Sequence, residues 1–187
     1  MNENLKNDMQ FLQGNFIIAT PLLLDPFFEK SIIFMTESKV ERSYGFLVTH
    51  SLNNDELFEE IHSQIIGSPI ENAEIFLGGP VDPKHFFVLH SNDVSCKKTL
   101  CVSENVCITN LSDAVEFFYA TPSFYRIFAG YCDWKMNQLE SEIKEGVWLI
   151  KKFSNNLLFT NSKKKWENLI KSFDIDLKKF SLNSGVA

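Results

Sequence analysis

Short runs of apolar, β-branched residues separated by polar turns make up most of this chain, and helical spacing interrupts them at a few places. Asn15–Thr20 (Asn-Phe-Ile-Ile-Ala-Thr) reads as a buried strand. Pro21 and Asp25-Pro26 break it, and Phe27–Lys30 suits a short helical turn. Ser31–Glu37 and Tyr44–His50 are the next two strand runs, with the charged turn Ser38–Ser43 between them predicting a hairpin. Glu74–Leu77, His85–Ser91 and Ser123–Tyr131 continue the pattern, as do Val147–Phe153 and Asn156–Thr160. Thr99–Thr109 alternates more loosely and predicts two strand pieces around Glu104-Asn105.

Four stretches have helical character. Leu57, Phe58, Ile61 and Ile65 form one apolar stripe, so Asn54–Gln64 is predicted to be an amphipathic helix, with Asn53 as cap and Glu56 closing a capping box. Leu111–Ala120 is a helix stopped by Pro122. Asp133–Glu145 is a third, capped by Asp133 and ended by Gly146, with Met136, Leu139 and Ile143 facing the core. Lys163–Ser172 is the fourth. Met1–Gln13 reads as a disordered start or a short docking helix, and Ile175–Ala187 as a loosely held tail. The order lacks the regular βαβα beat of a doubly wound sheet. It predicts one α+β domain over residues 1–187, with room for a smaller sub-domain around residues 35–75.

Composition adds a thick core and an uneven charge. At 187 residues the chain can bury roughly 70% of its unfolded surface. Its 18 Phe have no polar handle and belong in a core or an interface. The formal net charge is −6. From Lys151 onward eight Lys face three acids, a net of +5, whereas residues 1–150 carry −11. Phosphate binding needs clustered Lys and Arg, so nucleic acid has a foothold in the tail alone. Cys96, Cys101, Cys107 and Cys132 form no C-x-x-C pair and no zinc spacing, so neither a metal nor a cofactor is expected. Met1–Gln10 is not a signal peptide, and the apolar runs fall short of a membrane span. The expectation is a cytoplasmic, soluble protein with free thiols and no membrane partner.

Candidate chemistry is sparse. Gly78-Gly79 follows a strand and permits close backbone approach, but Pro80 removes a donor from any phosphate cradle. His50 and His90 each close a strand run, where a general base can stand; His62 and His85 have no evident partner. There is no G-x-S-x-G elbow or HExxH pair. Cys132 precedes a predicted helix start, yet Asp133 beside it opposes thiolate formation and a buried role fits better. The densest cluster of special residues is Gly130–Gly146, where Tyr131, Trp134, Gln138 and Glu142 accompany the helix. Lys163-Lys164-Lys165-Trp166 could touch nucleic acid, although a helix start with Trp166 tucked inward is commoner.

Four segments together resemble the AlgH/YqgE family of small bacterial proteins. They are Phe16-Ile-Ile-Ala-Thr-Pro-Leu-Leu-Leu-Asp-Pro-Phe-Phe; Phe76-Leu-Gly-Gly-Pro-Val with Phe87-Val-Leu-His90; Gly130-Tyr-Cys-Asp-Trp with Gln138-Leu-Glu-Ser-Glu-Ile and Val147-Trp-Leu; and Trp166 through Gly185-Val-Ala. The resemblance implies a compact, bent and partly barrel-like mixed sheet surrounded by helices, in a bacterial cytoplasm. Members are often labelled transcriptional regulators, and the resemblance brings no family-wide reaction. Ser38 stands where the pattern has His, His50 where it has Asn, and Val186 where it has His. Those departures count against a shared catalytic set. Three readings follow. The first is a non-enzymatic binding or regulatory protein, with a groove of Gly78, Gly79, Pro80, His90, Tyr131, Trp134, Gln138 and Glu142 for a small-molecule or protein partner. The second is a hydrolase-like enzyme using His90 as base and Glu142 as acid or orienter. The third, ranked last, is nucleic-acid binding through the Lys-rich tail. Oligomeric state is left open.

Overall fold

The computed structural model describes residues 12–39, 41–53, 55–159 and 164–173. Of the predicted terminal segments, residues 1–11 of Met1–Gln13 and all of Ile175–Ala187 lie outside them. Among the described residues, nine strands and five helices form the α+β fold expected from the pattern. The strands are β1 (Phe16–Ala19), β2 (Ile32–Ser38), β3 (Arg42–Leu47), β4 (Glu74–Leu77) and β5 (Val81–Ser91), then β6 (Leu100–Cys101), β7 (Val106–Asn110), β8 (Tyr125–Lys135) and β9 (Trp148–Lys151). The helices are α1 (Glu56–Ile65), α2 (Leu111–Phe117), α3 (Gln138–Lys144), α4 (Asn155–Phe159) and α5 (Lys165–Ser172).

The sheet runs β6-β7-β5-β8-β3-β2-β1-β9 and curls into a half-barrel. β8 is its spine. One edge of β8 pairs antiparallel with β5; the other pairs parallel with β4 over Arg126–Ala129, then antiparallel with β3 over Cys132–Lys135. Gly130 stands at the changeover with φ +66°, a backbone that L side chains rarely adopt. Its effect is visible in which way side chains face. Before it, Ile127 and Ala129 pack with α1 and α2, while Phe128 faces the Phe-rich concave side. After it, Tyr131 takes the concave side, and Cys132 and Trp134 pack with α3. Phe128 and Tyr131 are three residues apart yet share a face, so Gly130 absorbs one residue of the two-residue strand period.

The alternation elsewhere explains the layers. On β1, Phe16 and Ile18 face the concave core with Trp166 and Ile170 of α5, whereas Ile17 and Ala19 face α3. Trp166 is tucked inward as expected, and its Nε1 donates to the Ala19 carbonyl (2.7 Å).

Several expectations need correction. Asn156–Thr160 does not extend as a strand; Asn155–Phe159 is a helical turn that buries Leu157 and Leu158. α1 is capped by Asp55, whose side chain accepts from Phe58 N–H (2.7 Å), so Glu56 lies in the first turn and the Asn53 capping box does not form. β8 runs on to Lys135, which shortens the third helix to Gln138–Lys144. Asp133 is therefore no cap; it pairs with Arg42 on β3 (2.6 Å). Met136 points to solvent at 54% exposure, leaving Leu139 and Ile143 to face the core. Finally, Cys101 and Cys107 are not free thiols: they face each other across the β6–β7 ladder and form a disulfide. Cys96 and Cys132 are free.

Candidate functional site: an aromatic cavity on the concave face

The expected groove residues do not gather into one place. Gly78 and Gly79 are buried where β4 turns over the spine into β5. A Cβ on Gly79 would lie 2.1 Å from the Tyr131 carbonyl carbon, and one on Gly78 would lie 2.3 Å from the Gly130 oxygen. The Gly78 carbonyl accepts from Leu47 N–H (2.8 Å), and its N–H donates to Ala129 (2.7 Å). These glycines are spent on a close crossing of backbones, where a Cβ would collide with the spine.

Glu142 is the centre of a polar staple. Its Oε2 accepts from the indole N–H of Trp134 (3.0 Å) and of Trp148 (2.7 Å). Its Oε1 accepts from the Gln138 amide (2.9 Å), whose own oxygen accepts from Lys135 N–H (3.2 Å). One carboxylate thus ties β8, α3 and β9 together. His90 is fully buried at the other end of the spine, paired with Tyr125 in the ladder. Its Nδ1–H donates to the Ser91 carbonyl (2.8 Å), and its Nε2 accepts from Thr109 Oγ1 (2.9 Å). Burial lowers its pKa, with the Ser91 carbonyl and Asp93 opposing, so the imidazole is held neutral. Tyr125 and Trp134 are nine positions apart on β8, roughly 30 Å of extended chain, so His90 and Glu142 cannot share a substrate.

A cavity of about 490 Å³ lies elsewhere on the concave face and takes in Tyr131 alone of the eight candidates. Tyr44 and Phe46 of β3, Phe87 of β5 and Tyr131 of β8 form its wall. Their rings touch in sequence: Tyr44 to Tyr131 at 5.7 Å, Tyr131 to Phe87 at 6.1 Å and Phe87 to Phe46 at 5.3 Å. The first two contacts are edge-to-face, the arrangement that aromatic quadrupoles favour. Leu100, Cys101 and Val102 on and just past β6, with Ile108 of β7, close the apolar side. Polar groups sit among them: Gln13, Thr36, His85 and the Glu37–Lys39 ion pair.

The polar lining carries no assembled catalytic set. His85 stacks on Phe87 at 4.4 Å, its Nε2 lies 3.1 Å from Asn110 Oδ1 and its Nδ1 lies 3.5 Å from Asp82. Thr36 Oγ1 donates to the Tyr44 carbonyl (3.4 Å) rather than to a base. Cys132 is buried away from the lining, and desolvation pushes its thiol far above the ordinary range, which fits the expected inert role. Among the described residues no group of His, Cys, Asp and Glu could hold a metal ion. None of their helices is long and apolar enough to cross a membrane.

Sequence reasoning missed this wall because each residue reads as ordinary strand filling. Tyr44 and Phe46 are two apart on one strand, which signals a shared face. That their face meets Phe87 and Tyr131 depends on β8 lying between β3 and β5 and on the slip at Gly130.

Fold and site together define a class: a curled α+β half-barrel with an aromatic cavity on its concave face. Residues 16–178 match the AlgH-like family model, and the chain belongs to that family. A UPF0301 protein of Bartonella quintana is 34% identical over 173 residues, covering 86% of this chain and 89% of the relative. A UPF0301 protein YqgE from Salmonella paratyphi B is 29% identical over 177 residues, covering 89% and 94%. Among solved structures, the AlgH protein from Pseudomonas aeruginosa superposes with a TM-score of 0.69 at 23% identity over 94% of each chain. A Corynebacterium diphtheriae protein superposes at 0.72 and 19% identity over 91% of each. At those identities the two structures establish the fold alone.

Proposed function

We propose that this protein binds a small, largely apolar molecule in the aromatic cavity and acts through that binding rather than through catalysis. The observation that carries the reading is the continuous wall of Tyr44, Tyr131, Phe87 and Phe46 around about 490 Å³, a volume within the range of small-molecule pockets. A ring-bearing ligand gains from the exposed edges and faces, while Thr36, Gln13 and the Glu37–Lys39 pair can orient a polar tip at the rim. The lack of a nucleophile–base pair in the lining supports binding over hydrolysis. A regulatory role fits the label that family resemblance brings, with occupancy of the cavity as the signal. A cytoplasmic location is part of the same proposal.

The test uses 1-anilinonaphthalene-8-sulfonate as a fluorescent probe and an extract of small metabolites as competitor. Saturable binding to the folded protein, displaced by an extract component and weakened about tenfold or more by Phe87→Leu or Tyr131→Leu, is the expected result. Probe binding that both variants leave unchanged would place the ligand elsewhere and sink the reading.

A further inference from the structure

The cavity wall contains a covalent link that the binding reading does not use. Cys101 on β6 and Cys107 on β7 are directly opposed in the antiparallel ladder and joined as a disulfide. We propose that this disulfide is an exchange-active redox site, opened by small thiols or by a dithiol oxidoreductase, and that its state sets whether the β6 wall of the cavity is closed. The second half rests on the cavity reading above; the first does not.

Three observations carry it. First, the two sulfurs differ in access: Cys101 is exposed and lines the cavity, whereas Cys107 is fully buried. An incoming thiolate therefore has one sulfur to attack. Second, β6 is the terminal strand of the sheet and is two residues long, so few ladder bonds hold it. Around the link, Val102 N–H and Ser103 N–H both donate to the Val106 carbonyl (2.8 and 3.1 Å), and Gln13 Nε2 donates to Val102 O (3.2 Å). Third, β6 and the residue after it supply Leu100, Cys101 and Val102 to the lining. The cysteines are six residues apart, and so short a loop gives the folded protein less chain-entropy stabilisation than a long one. The link is thus weakly placed as a global staple and well placed as a local latch.

The chemistry balances without a metal. A thiolate attacks Cys101 Sγ; a bond forms between the two sulfurs and the Cys101–Cys107 bond breaks. The electron pair leaves on Cys107 Sγ, which takes a proton from water. A second thiolate attacks the incoming sulfur of the mixed disulfide and releases Cys101 as thiolate. Two thiols are oxidised to one disulfide and the protein disulfide is reduced to two thiols. With the latch open, β6 is held by its few backbone bonds and frays, and the cavity loses one apolar side.

The experiment uses the full chain carrying Cys96→Ser, so that a half-buried free thiol does not confuse the count. The oxidised protein is incubated with millimolar reduced glutathione, then alkylated and weighed. Expected are two newly alkylated cysteines, amide exchange in residues 100–103 at least about tenfold faster, and 1-anilinonaphthalene-8-sulfonate bound about fivefold more weakly. Cys101→Ser, which cannot close the latch, should match the reduced protein in both readouts. A disulfide that survives glutathione while the protein stays folded overturns the proposal, as does an opened disulfide with unchanged exchange at 100–103. If the probe binds neither form, the cavity reading fails, and mass and amide exchange still decide the redox site.

Discussion

Glu142 shows how one side chain can look catalytic and be structural. Its carboxylate accepts two indole N–H groups and one amide, and both indoles belong to residues at most 4% exposed. Removing it leaves two buried donors with no protein partner, each costing about 1–3 kcal/mol. Glu142→Ala should therefore lower stability by roughly 3 kcal/mol, read as a shift of the urea midpoint at unchanged slope. Glu142→Gln keeps acceptors for the indoles and should lose less than half of that. Equal losses in the two variants would show that the carboxylate acts through charge instead. Density of special residues in Gly130–Gly146 was legible in the sequence; that they serve each other was not, because Trp148 joins the staple from a different strand.

At the scale of elements, the spine strand decides the site. Gly130 shifts the facing of β8 by one residue, so that Tyr131 joins the concave wall while Trp134 packs with α3. The crossing of Gly78-Gly79 over this point leaves no room for a side chain. Gly79→Ala would bring a Cβ within 2.4 Å of three backbone atoms of Tyr131 and Cys132. Backbone cannot rotate away as a side-chain tip can, so the variant should lose more than about 3 kcal/mol or fail to fold. Circular dichroism and thermal unfolding measure this; a variant with a native melting curve would mean that the β4–β5 turn re-routes freely. The hairpin β2–β3, the strands β4 and β5 and helix α1 were readable from period and turn residues. α4 was not: the Asn156–Thr160 run is apolar enough for a strand, and a short apolar run cannot be assigned by periodicity alone.

At the scale of the whole molecule, α5 seals the end of the concave core and does so with a lysine indoors. Lys165 is 9% exposed, and its Nζ donates to the Leu157 carbonyl (2.7 Å) at α4. Arg126, stacked over the Phe76 ring and paired with Glu74, donates to the Leu158 and Phe159 carbonyls of the same turn. Burial first, and then repulsion from Arg126, lowers the Lys165 pKa to about 8, with Glu74 partly opposing. The unfolded chain keeps that proton up to the ordinary value of 10.5. Between about pH 8 and 10.5 the unfolded state binds more protons, so this group makes stability rise with pH across that window; below it both states are protonated and its contribution is constant. Lys165→Met should remove that rise. Urea midpoints for the two proteins at about pH 7 and about pH 9.5 give the comparison, and parallel changes would place the titration elsewhere. The buried lysine also changes what the basic tail means. Of the Lys164-Lys165-Trp166 stretch, Lys165 and Trp166 are committed to packing, which leaves less of it for phosphate contacts than its sequence suggests.

The sequence by itself determined the local periods. It specified strand runs, an amphipathic α1, the α+β class, the family motifs and the inward Trp166, because each follows from neighbours a few residues away. Tertiary structure alone decided which distant strands lie side by side. That placed His90 and Glu142 at opposite ends of β8, joined Cys101 to Cys107, spent Gly78 and Gly79 on a backbone crossing, and assembled Tyr44, Phe46, Phe87 and Tyr131 into one wall. The physical reason is that a one-residue slip at a glycine turns side chains to the opposite face while leaving the composition of the strand unchanged.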